Sequence, residues 1–177
     1  MFDRNLKLFL LVKKLDRLNV KKLILVRHSD AEHSSFDTPD FDRRLTPQGR
    51  KRAKLQANQL LTKNLIPNLV ITSNAIRAKE TASIFLPILN PDCQIQHVPF
   101  LYDDFTTTDF FNLISSIDAN KTVVMVVGHN PTISVMASRL DFKSQLSFKP
   151  CSMAIFNTAK EWNLLEVGTA ILSDIMH

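Results

Sequence analysis

The stretch KLILVRHS (Lys22–Ser29) opens on an apolar run and ends on Arg27-His28. A second stretch, TVVMVVGHN (Thr122–Asn130), repeats the plan and ends on Gly128-His129-Asn130. Short, continuous, β-branched apolar runs are the pattern of strands buried on both faces of a parallel sheet. In open α/β sheets the ligand crevice lies beyond the carboxyl ends of the strands. Two histidines far apart in sequence are therefore expected to meet in one pocket.

Working outward, Leu69–Thr72 (LVIT) reads as a second strand and Gln94–Val98 as a third. Ahead of the second strand, Thr46-Pro47 opens a helix running to Lys63, with threonine as N-cap and proline at the first helical position. Ser73 is expected to cap another helix, Ala75–Leu89. Further helices are predicted over Asp109–Ile117 and, behind Pro131, over Thr132–Leu140. Ser29–Asp42 is polar and reads as a loop over the sheet's carboxyl edge. Near the end the alternation breaks, and Met153–Asn157 with Trp162–Val167 reads as an antiparallel hairpin. The expected architecture is a three-layer α/β/α sandwich with a mostly parallel sheet and an antiparallel edge hairpin. It occupies 21–177 as one catalytic domain. Residues 1–20 form an extension of their own, in which Leu8, Leu11, Leu15 and Leu18 mark one stripe of an amphipathic helix.

Composition narrows the function classes. The chain has 177 residues, 45% hydrophobic and 22% charged, as in an ordinary soluble domain. The net charge of +5 either steers an anionic partner or reflects spare surface lysines. No zinc finger, RNP motif or Gly-rich loop accompanies it, so nucleic acid is not an expected partner. Cys93 and Cys151 lack CxxC spacing and read as reduced thiols. No apolar run approaches the roughly 18 residues of a membrane span, and Leu8–Val12 lacks a signal peptide's cleavage site. A cytoplasmic location without membrane association is expected. Among only three glycines, Gly128 stands directly before His129, which points to close backbone approach by a ligand.

Around the two histidines stand groups suited to an oxyanion. Arg27 precedes His28, and Arg77 lies one turn beyond Ser73 at a helix N-terminus, where free N–H groups and the dipole favour anions. Arginine's planar fork donates two parallel hydrogen bonds to phosphate. Taken singly, each residue has a structural reading too: Arg77 is spaced to pair with Glu80. A metal site would draw on Asp30, Glu32 and His33, but no HxH or HExxH pattern is present and the arginines would repel a cation. No GxSxG elbow exists. No metal or other cofactor is expected.

With these residues in view, the chain resembles the histidine phosphatase superfamily, the phosphoglycerate mutase-like "RHG" enzymes, and within it the short SixA-type phosphohistidine phosphatases. The resemblance rests on four blocks in the family's order: LVRHSDAE (25–32), RRLTPQGRKRA (43–53), ITSNAIRAKETA (71–82) and VVGHNP (126–131). It implies that His28 is the nucleophile that becomes phosphohistidine, with Arg27, Arg77 and His129 completing the catalytic phosphate pocket. Ser73 and Asn130 belong to the same expected phosphate-binding set. The family's proton donor has no clear match; Asp103 and Asp104 in FLYDDF are the nearest candidates. Ser29 replaces the motif glycine, Asn74 and Arg44 each replace a common proline, and residues 1–20 have no counterpart.

The implied activity is removal of a phosphoryl group from a histidine of a signalling protein, such as a phosphotransfer domain, with inorganic phosphate as product. A chain this short has little length for a lid, which suits a protein substrate. Alternatives are a phosphomonoesterase for small molecules on the same site and a catalytically idle phosphate-binding module.

Overall fold

The computed structural model describes residues 20–102, 105–142 and 146–177. The expected amphipathic extension, residues 1–20, lies outside the described residues but for Val20, and Asp103 and Asp104 lie outside them as well.

The apolar runs form strands where their patterns place them. β1 (Lys21–Arg27), β2 (Leu69–Thr72), β3 (Gln94–His97), β4 (Val123–Gly128), β5 (Met153–Thr158) and β6 (Ile171–Met176) join one sheet in the order β3-β2-β4-β1-β5-β6. The first four are parallel; β5 and β6 run antiparallel at one side. Alternate residues of β1 face opposite layers: Leu23 and Leu25 join one hydrophobic cluster, Ile24 and Val26 the other. Helices α1 (Pro47–Thr62) and α2 (Ile76–Leu89) cover the second face through Ala53, Ala57, Leu60, Ala78, Ala82 and Phe85. Helices α3 (Thr107–Ser115) and α4 (Thr132–Leu140) cover the first through Phe110, Ile114, Ile133 and Met136. Two buried faces explain why the central strands show no polar alternation.

Local chemistry sets the helix starts. Thr46 Oγ1 accepts from the Gly49 N–H at 3.0 Å, with Pro47 behind it. Thr106 and Asp109 form a reciprocal capping box, which starts α3 ahead of the expected Asp109. Ser73 is not a cap: α2 begins after Ala75 without any side-chain cap bond.

The hairpin's second strand is also corrected. Met153–Thr158 is a strand, but Trp162–Leu164 is a 3-10 turn and the edge strand is Ile171–Met176. Trp162 is drawn inward instead, 1% exposed, with its indole N–H on the Lys121 carbonyl at 2.6 Å. Burial of the indole outweighs the β propensity of its neighbours.

Candidate active site

Two adjacent strands carry the histidines. Arg27 at the top of β1 lies opposite Gly128 at the top of β4, so His28 and His129 emerge side by side, ring centroids 4.9 Å apart. Arg77 enters from the first turn of α2. Arg27, His28, Asp40, Arg43, Arg77, His129 and Asn130 line one cavity of about 460 Å³.

His28 is held from both ends. Its Nδ1 lies 2.7 Å from the Ser29 carbonyl, and its Nε2 accepts from Arg77 Nε at 3.1 Å. A carbonyl can only accept, so the ring proton sits on Nδ1 and the Nε2 lone pair points at Arg77. Burial, reinforced by Arg77 and Arg27 and opposed by the Ser29 bond, lowers its pKa to about 4. The ring is thus neutral at pH 7, with its Nε2 lone pair engaged by the Arg77 Nε–H.

His129 is set by Ser73. Ser73 Oγ lies 2.6 Å from His129 Nε2 while also accepting, at 3.4 Å, from the Ala75 N–H. The hydroxyl thus fixes the ring at Nε2, while His129 Nδ1 is buried without a partner. Burial first, then His28 and Arg77, lower this imidazole to about 3. Ser73 is fully buried and does not line the cavity. It reaches the pocket through His129 alone.

The pairing of Arg77 with Glu80 does not occur. Glu80 takes Arg50 at 2.6 Å and the Leu45 N–H at 2.7 Å instead. Arg77, 4% exposed, donates Nη2 to Asp40 Oδ2 at 2.9 Å and Nη1 to the Asp40 carbonyl. Arg27 Nη1 and Asn130 Nδ2 both donate to the Phe148 carbonyl, at 2.8 and 3.0 Å. Asn130 Oδ1 accepts from Ser134, so both ends of its amide are engaged in the wall. Of the metal candidates, Asp30 pairs with Arg52 at 2.9 Å. Among the described residues no three His, Cys, Asp or Glu side chains gather around one point.

Three lining or rim residues escaped the sequence reading: Asp40, Arg43 and Tyr102. Asp40 Oδ1 binds Arg43 Nη2 at 2.8 Å, and Tyr102 donates to Asp40 Oδ2 at 2.9 Å. For Asp40 and Arg43 the DFDRR segment (40–44) carried the signal as a charge cluster, but nothing in its spacing pairs them with Arg77. Around Gly128 the protein itself leaves room. A side chain there would meet only Ile133 Cδ1, at 3.4 Å. A close approach within the protein occurs at Gly49, whose added Cβ would strike the Asp30 carbonyl and lie 2.9 Å from its carbon.

Residues 23–103 match the sequence pattern of the histidine phosphatase superfamily, branch 1. That match spans just under half of the chain and marks what the chain is similar to. An uncharacterized protein of Mycobacterium leprae is 29% identical over 153 residues, covering 75% of this chain and 85% of that protein. A SixA structure from Nakamurella multipartitia superposes with TM-score 0.77 at 24% identity, over 89% of this chain and 96% of that one. A structure of the protein histidine phosphatase SixA with tungstate gives TM-score 0.76 at 20% identity, over 88% and 96%. At these identities the superfamily resemblance to both is one of fold. No described helix is long and apolar enough to cross a membrane.

Proposed function

We propose that the protein is a phosphohistidine phosphatase that removes the phosphoryl group from a histidine of a partner protein. The observation that carries this reading is the neutral His28 ring, its Nδ1–H tied to Ser29 and its Nε2 lone pair facing Arg77 inside an arginine-lined cavity. In the first step Nε2 attacks phosphorus, an N–P bond forms, and the substrate's P–N bond breaks with its electron pair leaving on the substrate imidazole. In the second step water attacks phosphorus and His28 leaves, giving inorganic phosphate. Arg27, Arg77 and His129 supply donors where negative charge gathers. Splitting one displacement into two is the ordinary gain of covalent catalysis. An imidazole nitrogen is easily protonated as it departs, so no strong dedicated acid is demanded. Asp103 or Asp104 remains our proposed donor where one is used.

The reading favours a protein substrate because the pocket is lined by Arg27, Arg43 and Arg77, and a protein can add contacts outside it. Turnover of a phosphorylated phosphotransfer protein, beside a panel of sugar phosphates and phosphoglycerate, tests it. The expected result is a kcat/KM higher by orders of magnitude for the protein, falling as salt rises. His28→Ala should trap no phosphoenzyme and lose turnover. Equal or better use of a sugar phosphate would assign the site to small phosphomonoesters instead.

A further inference from the structure

Arg77 is not held by His28 alone. Both its terminal nitrogens are taken by Asp40, one by the carboxylate and one by the backbone carbonyl. The other carboxylate oxygen of Asp40 holds Arg43, whose Nη1 is also fixed on the Glu32 carbonyl at 2.9 Å. Tyr102 completes the arrangement: its hydroxyl donates to Asp40 Oδ2 at 2.9 Å, and its ring faces the Arg77 guanidinium at 5.7 Å. One carboxylate thus spans two arginines of the cavity wall. The Nε atoms of Arg43 and Arg27 are buried without partners.

The geometry points to Asp40 as a positioning residue that fixes Arg43 and Arg77 as one frame of donors for a phosphoryl group at His28. The inference rests on the phosphatase reading above and adds Arg43 to the phosphate-binding set. Asp40 is not the proton donor. Burial opposes its ionisation, but the Tyr102 hydroxyl and Arg77 outweigh burial and hold the carboxyl below its usual range. It acts through what it holds. Two long side chains lose much rotamer freedom on binding an anion unless something has already fixed them.

Electrostatics alone predicts the opposite sign, which makes the inference testable. Removing a negative charge beside an anion site should tighten anion binding; releasing two arginines from a shared clamp should loosen it. The test uses the full chain with Asp40→Asn, Asp40→Glu and Tyr102→Phe. It measures orthovanadate affinity, phosphoenzyme formation from radiolabelled phosphoramidate, and the melting midpoint.

Asp40→Asn should bind vanadate roughly ten- to a hundredfold more weakly, the scale of a small misplacement of catalytic groups. Its melting midpoint should be close to that of wild type, and Asp40→Glu should recover part of the affinity. Unchanged or tighter vanadate binding by Asp40→Asn overturns the inference. If Asp40→Asn also melts early, Tyr102→Phe decides: weaker vanadate binding by that folded variant supports the clamp, and normal binding overturns it. A wild-type protein that binds vanadate but forms no phosphoenzyme refutes the phosphatase reading and leaves the vanadate comparison to decide the clamp.

Discussion

His28 and His129 stand 4.9 Å apart between ring centroids, tilted by 51°, and each takes its orientation from a different oxygen. Ser29's carbonyl fixes one ring and Ser73's hydroxyl the other. The constraints act on different nitrogens: His28 is held at Nδ1 by the carbonyl, His129 at Nε2 by the hydroxyl. The same residue type is thus oriented by a carbonyl in one place and a hydroxyl in the other.

Ser73→Ala should therefore damage His129 while leaving the fold intact. The variant frees the imidazole to place its proton on either nitrogen. Loss of one such hydrogen bond is worth up to about tenfold in rate. Single-turnover decay of the phosphoenzyme checks it, and a wild-type decay rate would refute the role given to Ser73.

Arg77→Ala removes the donor that faces His28 Nε2. Loss of a preorganised donor of this kind costs about a hundredfold or more. Vanadate binding and phosphoenzyme formation should both fall on that scale. Thermal stability should change less, because Asp40 keeps Arg43 and Tyr102 as partners. Vanadate binding equal to wild type would make Arg77 a structural residue.

Stability should depend on pH through the buried histidines. In the unfolded chain an imidazole titrates near 6.5, whereas in the fold His28 stays neutral to about 4 and His129 to about 3. The unfolded state binds more protons throughout that window. Stability is thus full above pH 6.5, falls as pH drops from 6.5 through 4, and loses on the order of 3 kcal/mol to His28 alone. Urea midpoints between pH 7.5 and 4 test this, with His28→Gln expected to shrink the loss. A flat wild-type profile would contradict the burial described for the two rings.

Trp162→Ala should destabilise the protein by about 3–5 kcal/mol, the usual cost of emptying a large aromatic site. The indole stands beneath Lys21 at the amino end of β1, the end opposite His28. Vanadate affinity measured well below the melting point should be unchanged. A variant as stable as wild type would place Trp162 outside the core.

Much of this was legible in residue order. Continuous apolar runs identified β1, β2 and β4, and Thr46-Pro47 marked the start of α1, because backbone sterics and burial act there on neighbours in sequence. Gathering Arg27, His28, Arg77 and His129 required only the rule that parallel strands end on one side. Asp40, Arg43 and Tyr102 were not legible. They converge through a loop without periodicity, closed by the Ala31–Leu45 bridge, and through contacts between distant segments. Ser73 was misassigned as a helix cap because a serine before a helix meets that local demand equally well. Only the fold shows that a histidine claims its hydroxyl first. The edge strand was misplaced for a similar reason: Ile171–Met176 has no clean alternation, and Trp162 looks strand-like until its buried partner is known.

The pairing of β1 with β4 has a kinetic consequence. Val26 meets Val127 directly, so the chain must close a long loop before the two histidines come within reach of one another, and ladders between distant segments form slowly. No local piece of the polypeptide holds both rings. An oxyanion bound across these strand tops therefore recognises only chains whose central ladder has already zipped, and recovery of vanadate binding during refolding becomes a clock for that single event.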